Sequence, residues 1–205
     1  MRRLVARLGV LLVLSVATGC SSLPVTRTYL GSSSYGVSLS TPPGWQVFSS
    51  EEMLGRPTGG PPFLQGFGLA STDPADPVNA DQPAGVLLVT FHGSFADAAA
   101  AARNAYLLDL DRAIADGAAS ILSETEPWRA GGFEHRQWLL EVRPTPGTVV
   151  KVIQRVSSSV EASSLDPTGR PVHANKTLIV GCRVACFDAS TQTIDEIVAS
   201  WKVSS

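Results

Sequence analysis

The side chains of this 205-residue sequence that could do chemistry are few: cysteines at 20, 182 and 186, histidines at 92, 135 and 173, and a group of carboxylates in one loop. Serine is abundant, so serine hydrolysis is the first chemistry to weigh. Neither a Gly-x-Ser-x-Gly elbow nor a Ser-x-x-Lys run occurs. His92 ends an apolar strand pattern, His135 sits inside another, and His173 falls in a polar stretch read as a loop. With no motif pairing any of them to a nucleophile, each reads as structural or solvated, and no catalytic residue is assigned. Asp73, Asp76, Asn79 and Asp81 put four oxygen ligands in one loop, but the central glycine and closing glutamate of a calcium loop are missing. A zinc site would have to draw on Cys182, Cys186 and His173 without paired Cys-x-x-Cys spacing. Gly66-Phe67-Gly68 lacks the third glycine of a dinucleotide fingerprint. No metal and no cofactor is assigned.

Where the cysteines work depends on the N-terminus. Arg2, Arg3 and Arg7 form a positive segment, and Leu8 to Thr18 is an apolar run too short to span a bilayer as a helix. Residues 1–19 are therefore expected to be a secretory signal. Its last residues, Val16-Ala17-Thr18-Gly19-Cys20, resemble the lipobox of bacterial lipoproteins, in which the cysteine thiol is lipidated and becomes the mature N-terminus. The resemblance implies lipidation at Cys20 and attachment to the extracytoplasmic face of the cell membrane. A diacylglyceryl group plus an amide-linked chain exceeds the two signals that stable anchoring requires. With Cys20 so used, Cys182 and Cys186 are left in an exported domain where oxidation can occur, and a turn through Arg183-Val184-Ala185 would bring them within bonding range. A Cys182–Cys186 disulfide is expected, with two buried free thiols as the alternative.

Without residues 1–19, which hold three arginines and no acid, the chain keeps 186 residues, 13 of them basic and 18 acidic, a formal charge of −5. That length suits one domain with a tether. The acidic balance argues against a nucleic-acid partner.

The elements follow from pattern. Residues 20–34, rich in Ser and Thr, read as a flexible tether, and 35–205 as the globular domain. Tyr35 to Ser40 alternates as a strand and Thr41-Pro42-Pro43-Gly44 turns the chain. Trp45 to Phe48 and Phe63 to Ala70 are extended, with a Gly/Pro loop between them. Val86 to Phe91 is apolar on both alternating faces, as an interior strand covered on both sides must be. Ser94 caps an alanine-rich helix closed by Gly117, with Ala99, Ala102, Tyr106, Leu110 and Ala113 on its buried face. Strands follow at 120–126, 133–142, with Trp138, Leu140 and Val142 on one face, and 149–156. Asp166-Pro167-Thr168-Gly169 turns into a last strand at Lys176 to Val180. A closing helix starting near Asp188 or Ser190 buries Phe187, Ile194, Val198 and Trp201. Strands, helix, strand meander and closing helix give an α+β domain with an antiparallel sheet flanked by helices.

Three segments carry a further resemblance: Gly36-Val37-Ser38-Leu39-Ser40-Thr41-Pro42-Pro43-Gly44-Trp45, Gly131-Gly132-Phe133, and Thr193 to Trp201. In these the chain resembles the PsbP-like domains, a class that includes extrinsic photosystem subunits, a nuclear-transport cofactor and Lpq-type actinobacterial envelope lipoproteins. The resemblance implies an α/β/α sandwich and roles in binding or assembly. The Pro-rich insertion before Val86 and the cysteine pair depart from it. The expectation is thus a lipid-anchored accessory or binding protein of the cell envelope, partnered by an envelope protein or a small apolar ligand. An envelope hydrolase is the rival, and a carrier of an apolar small molecule between helix and sheet is a third reading.

Overall fold

The computed structural model describes residues 28–55, 63–102, 104–105 and 108–204. The signal, Cys20 and residues 20–27 lie outside the described residues, as do most of the Gly/Pro loop and, from the expected helix face, Tyr106.

Strand β1 (Thr28–Ser32) pairs antiparallel with β2 (Val37–Thr41), so the folded unit takes in part of the stretch expected as tether. Leu30 explains it: one buried leucine and a full register against β2 outweigh the polar composition around it. After the turn at Gly44 come β3 (Gln46–Phe48) and a short helix α1 (Ser50–Leu54). A capping box makes α1: the Ser49 hydroxyl accepts from the Glu52 amide and the Glu52 carboxylate accepts from the Ser49 amide. Strands β4 (Phe63–Gly68) and β5 (Ala84–His92) follow, then α2 (Phe95–Ala101), capped as expected by Ser94 on the Asp97 amide.

The single helix expected over 94–117 does not exist. Beyond α2 the chain makes β6 (Asn104–Ala105) and β7 (Leu108–Asp109), paired with each other, and re-forms helix only as α3 (Leu110–Ala115). The physical cause lies on the sheet. The fully buried Gln154 side-chain amide donates to the Ala102 carbonyl at 3.0 Å, taking an acceptor that a continuing helix would use for its own ladder.

The meander then runs through β8 (Ala119–Glu124), β9 (Trp128–Ala130), β10 (Phe133–Val142), β11 (Val150–Ser159), β12 (Ser164–Leu165) and β13 (Pro171–Arg183). Gly131 and Gly132, both at positive φ, make the two-residue turn that returns β9 onto β10. The strand expected at 176–180 begins at Pro171, which puts His173 on a strand and not in a loop. Helix α4 (Val184–Ser200) starts four residues before Asp188, and a two-residue strand β14 (Lys202–Val203) ends the fold on β2.

The main sheet has the order β3-β4-β5-β13-β11-β10-β8, antiparallel at every pairing, with β9 added on β10 and β12 on β13. Strand β5 is interior, as its doubly apolar pattern requires. Leu87 and Val89 face one side, where α4 and the small sheet β1-β2-β14 cover them with Leu39, Ile194, Ile197 and Trp201. Val86 and Leu88 face the other, against Met53 of α1. On that second side Leu110, Trp138, Leu140, Val152 and Ile179 form a further core beneath α3. The domain is thus an antiparallel sheet between helical layers, one of them helped by a second sheet.

Candidate functional site

The three histidines separate onto the two faces of the sheet. His92 and His173 are register partners on β5 and β13, beneath α2. His92 Nε2 lies 3.0 Å from the Thr90 hydroxyl and 3.3 Å from the Asn175 amide, whose nitrogen also donates to the Ala98 carbonyl. His173 Nδ1 donates to the Ser159 carbonyl at 3.0 Å. Asn175 belongs to an Asn-Lys-Thr run, yet its side chain is buried in this network.

His135 faces the α4 side and makes a serine–imidazole contact: its Nδ1 is 2.9 Å from Ser157 Oγ, while Nε2 is 3.2 Å from the Ala130 carbonyl. A carbonyl only accepts, so Nε2 carries the proton and the Ser157 hydroxyl donates to Nδ1. That is the hydrogen bond of an activated serine, in a place no substrate reaches, since Ser157 has no exposed surface. Around it runs a column of rings and cations. The Arg155 guanidinium lies 5.2 Å from the Trp128 ring, Trp128 stacks on His135 at 5.1 Å, Phe133 lies 6.3 Å beyond, and Lys176 Nζ sits 4.7 Å from Phe133. Lys176 also donates to the carbonyls of Gly36 and Ser204, clasping the small sheet to β13. Burial pushes the Lys176 ammonium below its usual range.

Burial also lowers the pKa of His92 and of His135, in His135 against the opposing effect of the Ala130 hydrogen bond. Each imidazole is thus held neutral in the fold, while in the unfolded chain it takes up a proton near pH 6.5. Below that value the unfolded state binds more protons, so stability present above about pH 6.5 is lost as the pH falls through the folded-state values. Glu134, lowered by hydrogen bonding to Arg136, and Asp166, lowered to about 2 by Thr168 and Arg170, act only at lower pH. Urea midpoints are therefore expected to drop between about pH 7.5 and 5.5, and the drop to shrink in His135→Gln; equal midpoints would contradict the sign.

The acidic loop is spent on itself and on one arginine. Asp73 accepts from the Ala75 amide, Asp76 from the Asn79 side chain, and Arg183 reaches both Asp81 oxygens and Asn79. Among the described residues no group of three or more His, Cys, Asp or Glu is placed to hold a metal ion. Cys182 and Cys186 are joined in a disulfide with Cα atoms 5.9 Å apart. Cys182 is the penultimate residue of β13 and Cys186 lies in the first turn of α4, so the bond pins helix to sheet where no side chain caps the helix. The ring it closes is short, and chain entropy limits its contribution to about 2 kcal/mol.

The space between helix and sheet that a carrier would need is filled by Ala98, Ala102 and Leu110. What remains is a slot of about 110 Å³ under the acidic loop, lined by Val78, Val142, Pro144, Val150, Val152 and Ile179. Ligand cavities for drug-sized molecules begin near 300 Å³, at about three times that volume. A second cleft of about 130 Å³ lies among Tyr35, Phe91, Ala174 and Lys176. Over the outer face of the small sheet runs a shallow trough of about 560 Å³, with Tyr29 and Lys202 among its lining residues.

No protein-family model and no curated protein matches the chain. Among solved structures it is similar to cyanobacterial PsbP (CyanoP) from Synechocystis sp. PCC 6803, with a TM-score of 0.52 at 12% identity over 92% of this chain and 98% of that one. LpqN, involved in cell envelope biogenesis of Mycobacterium tuberculosis, aligns with a TM-score of 0.48 at 14% identity over 90% of this chain and 88% of that one. The chain has the PsbP-like fold that its opening strand, its Gly-Gly turn and its closing helix resemble in sequence.

Proposed function

We propose that this protein is a lipid-anchored, extracytoplasmic binding or accessory protein of the cell envelope with no catalysis of its own. One observation carries the choice of binding over hydrolysis. The serine–imidazole pair, Ser157 and His135, is sealed inside the sheet, and the other two histidines are hydrogen-bonded within the fold. A reacting group would need to reach such a pair within about 3 Å, whereas Ser157 has no exposed surface and the rings of Trp128 and Phe133 pack on His135. The anchor rests on the lipobox at Cys20, and the binding role on the resemblance to PsbP-like domains.

Two measurements test the halves separately. Metabolic acyl labelling is expected in the wild type and absent in Cys20→Ser; equal labelling in the variant removes the anchor. Hydrolase profiling of the purified mature protein is expected to find no turnover. An activity abolished by Ser157→Ala or His135→Ala in a protein that still melts cooperatively would replace this reading with the hydrolase.

A further inference from the structure

We propose that the outer face of the small sheet β1-β2-β14 is the surface that lies against anionic phospholipid headgroups. The inference rests on lipidation at Cys20 and says which side of the domain the anchor turns to the membrane.

Reach comes first. From Cys20 to Thr28, where β1 begins, are eight residue steps, at most about 28 Å when fully extended. The start of β1 is therefore held near the headgroups, and β1 is an edge strand of its sheet. Tyr29, its second residue, is 80% exposed, the most exposed of the large hydrophobic side chains among the described residues. A tyrosine, with an apolar ring and a polar tip, suits the membrane–water interface. The antiparallel registers Tyr29↔Ser40 and Lys202↔Ser38 put Tyr29, Ser38 and Lys202 on one face of the small sheet. Leu30, Val37 and Leu39 point the other way, into the core. The outward face is the wall of the shallow trough described above.

Charge gives the second, independent argument. All 18 carboxylate side chains of the sequence lie between Glu51 and Glu196, and residues 20–50 and 197–205 hold none. The small sheet is built entirely from those two acid-free segments. They carry Arg27 and Lys202, and Lys176 donates to the Ser204 carbonyl from beneath. A chain with a net charge of −5 after loss of residues 1–19 is repelled overall by an anionic surface, and the small sheet contributes no acidic side chain to that repulsion. The attraction works over about 10 Å, within the reach of so short a tether.

The three lysines of the sequence, Lys151, Lys176 and Lys202, supply the readout. Lys151 pairs with Asp188 in the first half of α4, separated from Lys202 by about 18 Å of helix, and serves as internal reference. Full-length lipidated protein is placed on vesicles of phosphatidylcholine alone or with about one third phosphatidylglycerol, and amine acylation is followed by mass spectrometry. Flotation with the vesicles reports the anchor. On anionic vesicles Lys202 is expected to react several-fold more slowly than on neutral ones, with Lys151 unchanged and the difference abolished by high salt. Floating protein whose Lys202 reacts equally fast on both, or in which Lys151 is the slowed residue, overturns the assignment of this face. Failure to float overturns the anchor on which it rests.

Discussion

Leu110→Asp is expected to destabilise the domain by about 4 kcal/mol, lowering its melting temperature by roughly 10 °C. Leu110 has no exposed surface and packs with Trp138, Leu140 and Val152 on the sheet side opposite α4. The substitution removes an apolar side chain whose burial contributes about 2 kcal/mol and puts a carboxylate into a cluster of apolar side chains. The group would respond by raising its pKa, so the loss should be smaller at acid pH. Leu110→Met keeps volume and polarity and should cost less than about 1.5 kcal/mol. A melting curve for the aspartate variant that overlays the wild type would mean that α3 does not bury this face.

Gly181→Ala should cost about 3 kcal/mol by forcing apart two central strands. A Cβ at Gly181 would stand 2.1 Å from the Lys151 carbonyl oxygen and 2.7 Å from Val152 Cγ1. The first obstacle is backbone and cannot rotate away. Gly181 pairs directly with Val152 in the β13–β11 register, and the disulfide begins one residue later, so neither strand can slip to make room. Gly93 is the matched control: nothing lies within 4 Å of its Cβ position, and Gly93→Ala should be close to neutral. Equal urea midpoints for the two variants would show that β13 and β11 separate at no cost there.

What the sequence discloses of this fold depends on whether a residue's neighbours are near it in the chain. Val86 to Val89 announce an interior strand because apolar residues on both faces admit no other place. Trp138 and Leu140, and the face of α4 built from Phe187, Ile194 and Val198, are likewise legible from period alone. Ser49 and Glu52 spell a capping box, and α1 could have been found from it. The alanine-rich stretch after Ser94 misleads because its interruption is made by Gln154, more than fifty residues away. Helix α4 starts early because its first turn is held by Cys182 and by the Val149 carbonyl, which accepts from the Val184 amide, and by no local cap. For the candidate site the position is similar. The cysteine pair could be read from its spacing and the expected export, whereas the pairing of His135 with Ser157 is a cross-strand register that no motif encodes.

The place of β13 in the sheet bears on how such a chain is made. It is the last long strand in sequence and the central one in space, pairing on one side with β5 and on the other with β11. For a polypeptide threaded through a secretion pore from its N-terminus, the two halves of the sheet emerge first and stay without a seam. Only when Arg183 has cleared the pore can the seam form, and only when α4 and β14 follow can the small sheet be locked to it. Such non-local pairing is slow, and a slow folder stays threadable. In the exported chain proposed above, this order of strands would leave the main sheet unclosed until transport is over.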